Sequence, residues 1–291
     1  MTLVKGKVAV VTGAGSGIGR ALAYGLARRG ATLAISDVDE VGLAETGRQV
    51  RVIGARVHEQ RLDVTDRAAV LAYADIVAAE FGVVNVVINN AGIAFTGDIE
   101  AMSFEQIERV MNVDFWGVVN GTKAFLPHVI ASGEGHIVNI SSLFGLMSIP
   151  GQSAYNAAKF AVRGFTEALR EEMIVAGHPV NVTCVHPGGV KTAIARNAGA
   201  VEGHDSAALA QFFDAKLAKT SPESAARSIL RAVTGNRARA VVGLDAKVLD
   251  LLVRLLGSRY QRFVALGARR AVPQSAAMPT PVQSHTKKVS A

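Results

Sequence analysis

The segment KVAVVTGAGSGIGRALAYGLARRG joins a short apolar run to a helical pattern through Gly13, Gly15, Gly17 and Gly19. An apolar run of that length, bounded by glycine, predicts a strand covered on both faces. Strand, tight turn and helix in that order commit the chain to a βαβ unit, whose parallel strands need crossover connections. The missing side chains let a backbone approach a pyrophosphate closely. The helix N-terminus supplies unpaired N–H groups and a favourable dipole. Gly13, Gly17 and Gly19 form the working set, with Ser16 and Ile18 beside them at the start of the helix.

The alternation continues along all of the first 245 residues. ATLAISD, RVHEQRLDV, VNVVINNAG, GHIVNISS, PVNVTCVHPGG and ARAVVG give six more strand patterns. Helical patterns separate them, over residues 38–50, 67–81, 103–130 and 155–173. Thr65 and Asp66 can cap the second of these. Ser103 and Gln106 form a capping box for the long third one. Ser221 and Pro222 start another helix, as cap and first turn. This order predicts an α/β protein with a Rossmann-type, doubly wound parallel sheet flanked by helices. One catalytic domain is expected over 1–245, with a substrate-loop segment at 192–220. An amphipathic helical extension follows at 246–270 and a disordered tail at 271–291.

Hydrophobic residues make up 49% of the 291, enough for a substantial core. The net charge of +7 is uneven: the chain from Glu223 onward carries twelve Lys/Arg against three Asp/Glu. No nucleic-acid recognition motif accompanies that charge, and none is expected to be used. The single cysteine, Cys184, excludes an internal disulfide and reads as buried filler. The seven histidines show no HExxH and no compact ligand set, so no metal is expected. No signal peptide or long apolar span is visible, and cytoplasmic placement is the expectation.

Asp37 closes the second strand pattern, where a carboxylate can accept hydrogen bonds from both adenosine ribose hydroxyls. It would repel a 2′-phosphate, which favours NAD over NADP. Asp63, with Val64 beside it, ends the third strand pattern and can meet the adenine edge or open the next helix. Tyr155 and Lys159 lie four apart, on one helix face, thirteen residues after Ser142. The lysine charge can favour the phenolate, and the phenol can exchange a proton with an alcohol or carbonyl oxygen.

With these residues in place, the chain resembles the short-chain dehydrogenase/reductase family over roughly residues 5–245. TGAGSGIG matches the family's cofactor turn and NNAG its strand-four motif. Ser142, Tyr155 and Lys159 match its active centre, and PGGVKT matches its loop beyond strand six. The resemblance implies Tyr155 as general acid/base, Lys159 as its electrostatic partner and ribose ligand, and Ser142 holding the reacting oxygen. It implies Asn112, in MNVDFWG, as the fourth member, fixing a helix distortion or a water in a proton relay. Asn90, Ala91 and Gly92, then Pro187, Gly188, Val190 and Thr192, are expected to border NAD(H). His186 suits a cleft rim or a structural role equally.

The implied activity is interconversion of an alcohol with its ketone or aldehyde. Phe144 and Met147, with Ser142 and Tyr155, are the expected pocket residues, and with Phe212 and Phe213 they favour a hydrophobic substrate. A homodimer or homotetramer is implied. The extension at 246–270 can pack on its own protein or lie on a membrane surface. A noncatalytic NAD(H)-sensing protein or scaffold that keeps the fold is the reading from a different class.

Overall fold

The computed structural model describes residues 4–192, 194, 198–201 and 218–271. Seven parallel strands form the main sheet: β1 (Val8–Thr12), β2 (Thr32–Asp37), β3 (Val57–Arg61), β4 (Val86–Asn89), β6 (Gly135–Ile140), β7 (Val180–Pro187) and β9 (Arg239–Val242). Their order is β3-β2-β1-β4-β6-β7-β9. β1, β4 and β6 are buried at every residue, so the sequence shows apolar runs rather than alternation. The order reverses between β1 and β4, and the crevice beyond the strand ends opens there.

Helices cover both faces. On one lie α1 (Gly17–Ala27), α2 (Glu40–Val52) and α7 (Pro222–Thr234), packed on Val11, Leu33, Ile35 and Val86. On the other lie α3 (Arg67–Phe81), α5 (Gly117–Ala131) and α6 (Ser153–Val175), packed on Val10, Val87, Ile137 and Val182. The expected caps form. Asp66 accepts from the Ala69 N–H, Ser221 from the Ser224 N–H, and Ser103 with Gln106 closes its box on α4 (Phe104–Met111). Thr65 does not cap; its hydroxyl and N–H both donate to Asp63.

Three features depart from the sequence reading. The single helix expected over 103–130 is broken into α4 and α5 by a π-helical turn, Asn112–Trp116, closed by the Gly117 N–H on the Asn112 carbonyl. The extension is two helices, α8 (Leu244–Leu256) and α9 (Tyr260–Ala271), parted at Gly257, whose φ of +53° suits glycine. A small second sheet pairs β5 (Phe95–Thr96) with β8 (Gly199–Ala200), the latter inside the segment read as a substrate loop. Phe212 and Phe213 and the tail from 272 lie outside the described residues.

Two buried histidines tie the sheet together. Thr183 donates its hydroxyl to the Arg237 carbonyl, so it must accept from His136 Nε2, 2.8 Å away. His186 Nδ1 lies 2.9 Å from the Ser142 carbonyl, which can only accept. Burial pushes both imidazoles down, His136 to about 3 and His186 to about 4. The unfolded chain takes up these protons near the ordinary histidine value, about 6.5, and the folded chain does not. Stability therefore falls as pH drops through the window from about 6.5 toward 4. Thermal unfolding should show Tm lower at pH 5 than at pH 7, with a slope approaching about 1.4 kcal/mol per pH unit for each histidine. His186→Asn should flatten that slope; an unchanged slope would contradict the assignment.

Candidate active site

The strand ends on one edge of the sheet carry nearly every residue singled out by the sequence. At the end of β1, Gly13 and Gly17 adopt positive φ, +65° and +52°. A Cβ on Gly19 would overlap the Gly13 carbonyl oxygen, and one on Gly13 would sit 2.7 Å from the Ala91 Cα. The turn therefore closes only with glycine, and it brings β1 against the NNAG segment after β4. Asn90 locks that contact: its Nδ2 donates to the carbonyls of Thr12 and Gly13, at 3.0 and 3.1 Å. The Thr12 hydroxyl accepts from the N–H groups of Asn90 and Ala91. Ser16 is the exposed N-cap of α1, and its hydroxyl makes no capping bond. Ile18 packs against the core below.

Asp37 stands at the end of β2 and faces this turn. Its Oδ2 accepts from the Gly15 N–H at 2.7 Å and its Oδ1 from the Asp39 N–H at 3.0 Å. Each carboxylate oxygen keeps further acceptor capacity, so the group is oriented without being used up. Asp63 behaves differently. It is exposed, and its Oδ1 is engaged by Thr65, the helix-opening role of the two weighed for it. Val64 is buried, and its carbonyl accepts from Asn120 Nδ2.

The loop after β7 closes the crevice from the far side. Pro187 ends the strand and the Gly188 N–H donates to the Val242 carbonyl. Val190 is buried and bridges Thr220, and Thr192 packs its methyl 3.1 Å from where a Gly17 Cβ would lie. A cavity of about 290 Å³ opens there, between Ser16, Gly17 and Arg20 on one wall and Lys191, Thr192 and Pro222 on the other. The dinucleotide fits this edge on three counts: the glycine cradle, the free N-terminus of α1 and an oriented carboxylate at β2. Arg20 is folded under the turn, donating to Thr46 and to the carbonyls of Gly15 and Gly42.

The proton-handling group lies at the end of β6 and the start of α6. Ser142 caps a short 3-10 turn and its hydroxyl accepts from the Phe144 N–H. Lys159 Nζ sits 5.4 Å from the centre of the Tyr155 ring and donates to the Ile140 carbonyl at 3.4 Å. Its counter-ion is Asp114, fully buried on the π-helical turn, with Oδ2 3.1 Å from Nζ. This contact is an ion pair rather than an aligned hydrogen bond. Asp114 Oδ1 accepts from the Ile93 N–H at 2.7 Å. Gly92 leaves room for both groups, since a Cβ there would stand 3.3 Å from Asp114 Oδ1 and from Lys159 Nζ.

Asn112 is therefore corrected. The helix distortion expected of it exists, and its carbonyl closes the turn, but the residue is exposed. The π-helical turn instead presents Asp114, two residues on, to the lysine. A sequence signal was available: Asp114 falls on the stripe of Val110 and Val118, both buried, so an acid there needs a buried cation. Met147 is buried against Leu143 and Ala246, and Phe144 sets its ring edge-to-face on Tyr155 at 6.3 Å. His186 takes the structural of its two readings. Cys184 is buried and its thiol is pushed up to about 12, which keeps it inert. No metal-ligating cluster occurs among the described residues.

The electrostatics are coupled. Burial raises the Tyr155 phenol above its ordinary value; Lys159 pulls it down, Asp114 pushes it up and Ser142 pulls it down. The net direction is upward, so the favouring of phenolate by the lysine is offset here by burial and Asp114. Burial works against the Lys159 ammonium, yet Asp114 and Tyr155 outweigh it and raise its pKa. Burial likewise raises Asp114 and Lys159 opposes it.

The sequence and the fold match known proteins. The model of the short chain dehydrogenase family matches residues 7–203. The chain belongs to that family. The putative oxidoreductase SadH of Mycobacterium tuberculosis is 63% identical over 273 residues, covering 94% of this chain and 99% of that protein. Human estradiol 17-beta-dehydrogenase 11 is 37% identical over 197 residues, covering 67% of this chain and 65% of that enzyme. Among solved structures, a short-chain dehydrogenase/reductase from Burkholderia phymatum in complex with NAD has a TM-score of 0.83 at 32% identity, covering 90% of this chain and 97% of that one.

Asp114→Asn should test the buried ion pair. It removes a negative charge beside two groups that each carry a proton. Whichever proton leaves first then leaves more easily, so the acid limb of kcat/KM for alcohol oxidation should move to lower pH. The unpaired ammonium should also cost roughly 3 kcal/mol in unfolding free energy. An acid limb that stays in place would show that Asp114 does not act on the centre.

Proposed function

We propose that the protein is an NAD(H)-dependent oxidoreductase that interconverts a primary or secondary alcohol with its aldehyde or ketone, acting on an apolar substrate. The single observation that carries this reading is Tyr155 with the Lys159 ammonium 5.4 Å from its ring centre, next to the turn capped by Ser142 and on the same sheet edge as the glycine cradle.

The bound nicotinamide supplies the hydride chemistry. In oxidation, Tyr155 takes the proton of the substrate hydroxyl. In reduction, it returns a proton to the oxygen as the alcohol forms. Ser142 holds that oxygen by a hydrogen bond, and its own backbone is fixed by His186 on the carbonyl side. Lys159 stabilises the tyrosinate and lies where it can reach ribose hydroxyls beside Gly92. Asp114 keeps the lysine charged and pointed. Asn90, Ala91, Gly92 and the loop through Pro187, Gly188, Val190 and Thr192 border the cofactor. Asp37 would accept from the adenosine ribose hydroxyls and disfavour a 2′-phosphate.

Phe144 over Tyr155 supports an apolar substrate, as does the likeness to an estradiol dehydrogenase. Exposed apolar side chains at Phe104, Trp116 and Phe160, on the helices and turn that follow β4 and β6, support assembly into a homodimer or homotetramer.

Turnover on a panel of aliphatic and alicyclic alcohols tests the chemistry. Tyr155→Phe should lower kcat by at least about a thousand-fold while NADH still binds. Asp37→Ala should narrow the preference for NADH over NADPH by roughly ten-fold or more, the loss of one charge-assisted ribose contact. Full activity in Tyr155→Phe would overturn the mechanism, and an unchanged cofactor preference would overturn the role of Asp37.

A further inference from the structure

The extension formed by α8 and α9 has two unlike sides. Ala246, Leu249, Val253, Tyr260 and Val264 pack inward on Leu143, Phe144 and Met147. The Tyr260 hydroxyl clamps the same loop, 3.0 Å from both the N–H and the hydroxyl of Ser148. The other side leaves Val248, Leu251, Leu252, Leu255, Phe263 and Leu266 exposed, Leu255 at 74% and Phe263 at 63%. Large apolar side chains left to water over two consecutive helices mark a contact surface.

The charges on these helices are segregated. The two acids are engaged: Asp245 accepts from the Gly189 N–H, and Asp250, 15% exposed, pairs with Arg254. Lys247, Arg259, Arg262 and Arg269 are exposed and meet no carboxylate among the described residues. The apolar face is thus interleaved with unpaired cations alone. A second copy of this chain is a poor occupant, because a two-fold contact would set these cations against themselves. A folded nucleic acid would satisfy the cations but not the leucines. No helix among the described residues is long and apolar enough to cross a membrane, so any lipid contact made here is lateral.

We propose that the outer face of α8 and α9 docks on an anionic lipid surface. The leucines and Phe263 enter the interface while Lys247, Arg259, Arg262 and Arg269 meet phosphate headgroups. The loop that carries Phe144 then lies one helix diameter, about 10 Å, from the lipid. This proposal is independent of the catalytic reading, since docking needs neither cofactor nor substrate.

Co-sedimentation of the full chain with vesicles, without cofactor or substrate, tests it. The protein should pellet with vesicles of phosphatidylglycerol and phosphatidylcholine at low salt and not with phosphatidylcholine alone. Each removed charge should weaken binding about five-fold, so Arg259→Gln with Arg262→Gln should lose at least about twenty-fold. Leu251→Asp with Leu255→Asp should lose a comparable amount. All four positions are exposed, and both variants should retain Tm and turnover of a water-soluble alcohol. Failure of the intact protein to pellet with anionic vesicles overturns the proposal. So does binding that both variants keep in full. A change of oligomeric mass in the leucine variant, by light scattering, without vesicle binding in the parent would assign the face to self-association instead.

Discussion

A lysine ammonium with 4% of its side chain exposed is the constraint around which the centre is organised. Desolvating such a charge costs several kcal/mol unless a partner is held close. Asp114 is that partner, and it is itself held by the Ile93 N–H and is fully buried. Neither group can be neutralised by mutation without stranding the other. The pair therefore fixes the ammonium beside the Tyr155 ring and gives the phenol a permanent positive neighbour, while the carboxylate tempers that effect. The centre is a coupled set of three titrating groups, and its protons belong to the set rather than to one residue.

The fold supplies the rigidity this arrangement needs. Lys159 comes from α6, Asp114 from the π-helical turn before α5, and Ile93 and Gly92 from the segment after β4. A buried polar chain joins the same elements. Asn89 donates to Thr122 and to Asn139, Asn139 donates to Thr166, and Thr166 to the Val162 carbonyl. These bonds cross from β4 and β6 to α5 and α6, so the helices that bear the acid and the base are pinned to adjacent strands. His186 ties in β7 by binding the Ser142 carbonyl. Asn89 Oδ1 and His186 Nε2 keep no hydrogen-bond partner among the described residues, so this polar chain pins these elements through its donors.

The architecture was legible because both of its signals are local. Short apolar runs gave most strands of the main sheet, the polar β3 excepted, and capping residues gave helix starts at Arg67, Phe104 and Pro222. The glycine turn, Asp37, Asn90, Ser142, Tyr155 and Lys159 were legible for a similar reason, since each stands at a strand end or at fixed helical spacing. Asp114 was legible only from burial, because an acid there matches no residue type of the catalytic pattern. Matching by residue type favoured Asn112; the stripe of Val110, Asp114 and Val118 pointed the other way. Met147 is buried in the cluster that also holds Phe144, since an apolar residue between two site residues suits a pocket and a core equally. The break at Gly257 was likewise hidden, since both halves of the extension keep a helical pattern.

The most direct test is optical. The ultraviolet band of tyrosinate can be followed against pH in the wild type, with the Tyr155→Phe spectrum subtracted to isolate one phenol. The same titration is then run in Lys159→Met. With the ammonium gone, the Tyr155 midpoint should rise well above its wild-type position. Coincident midpoints in the two proteins would mean that the lysine charge does not govern the phenol and that the centre is not electrostatically coupled.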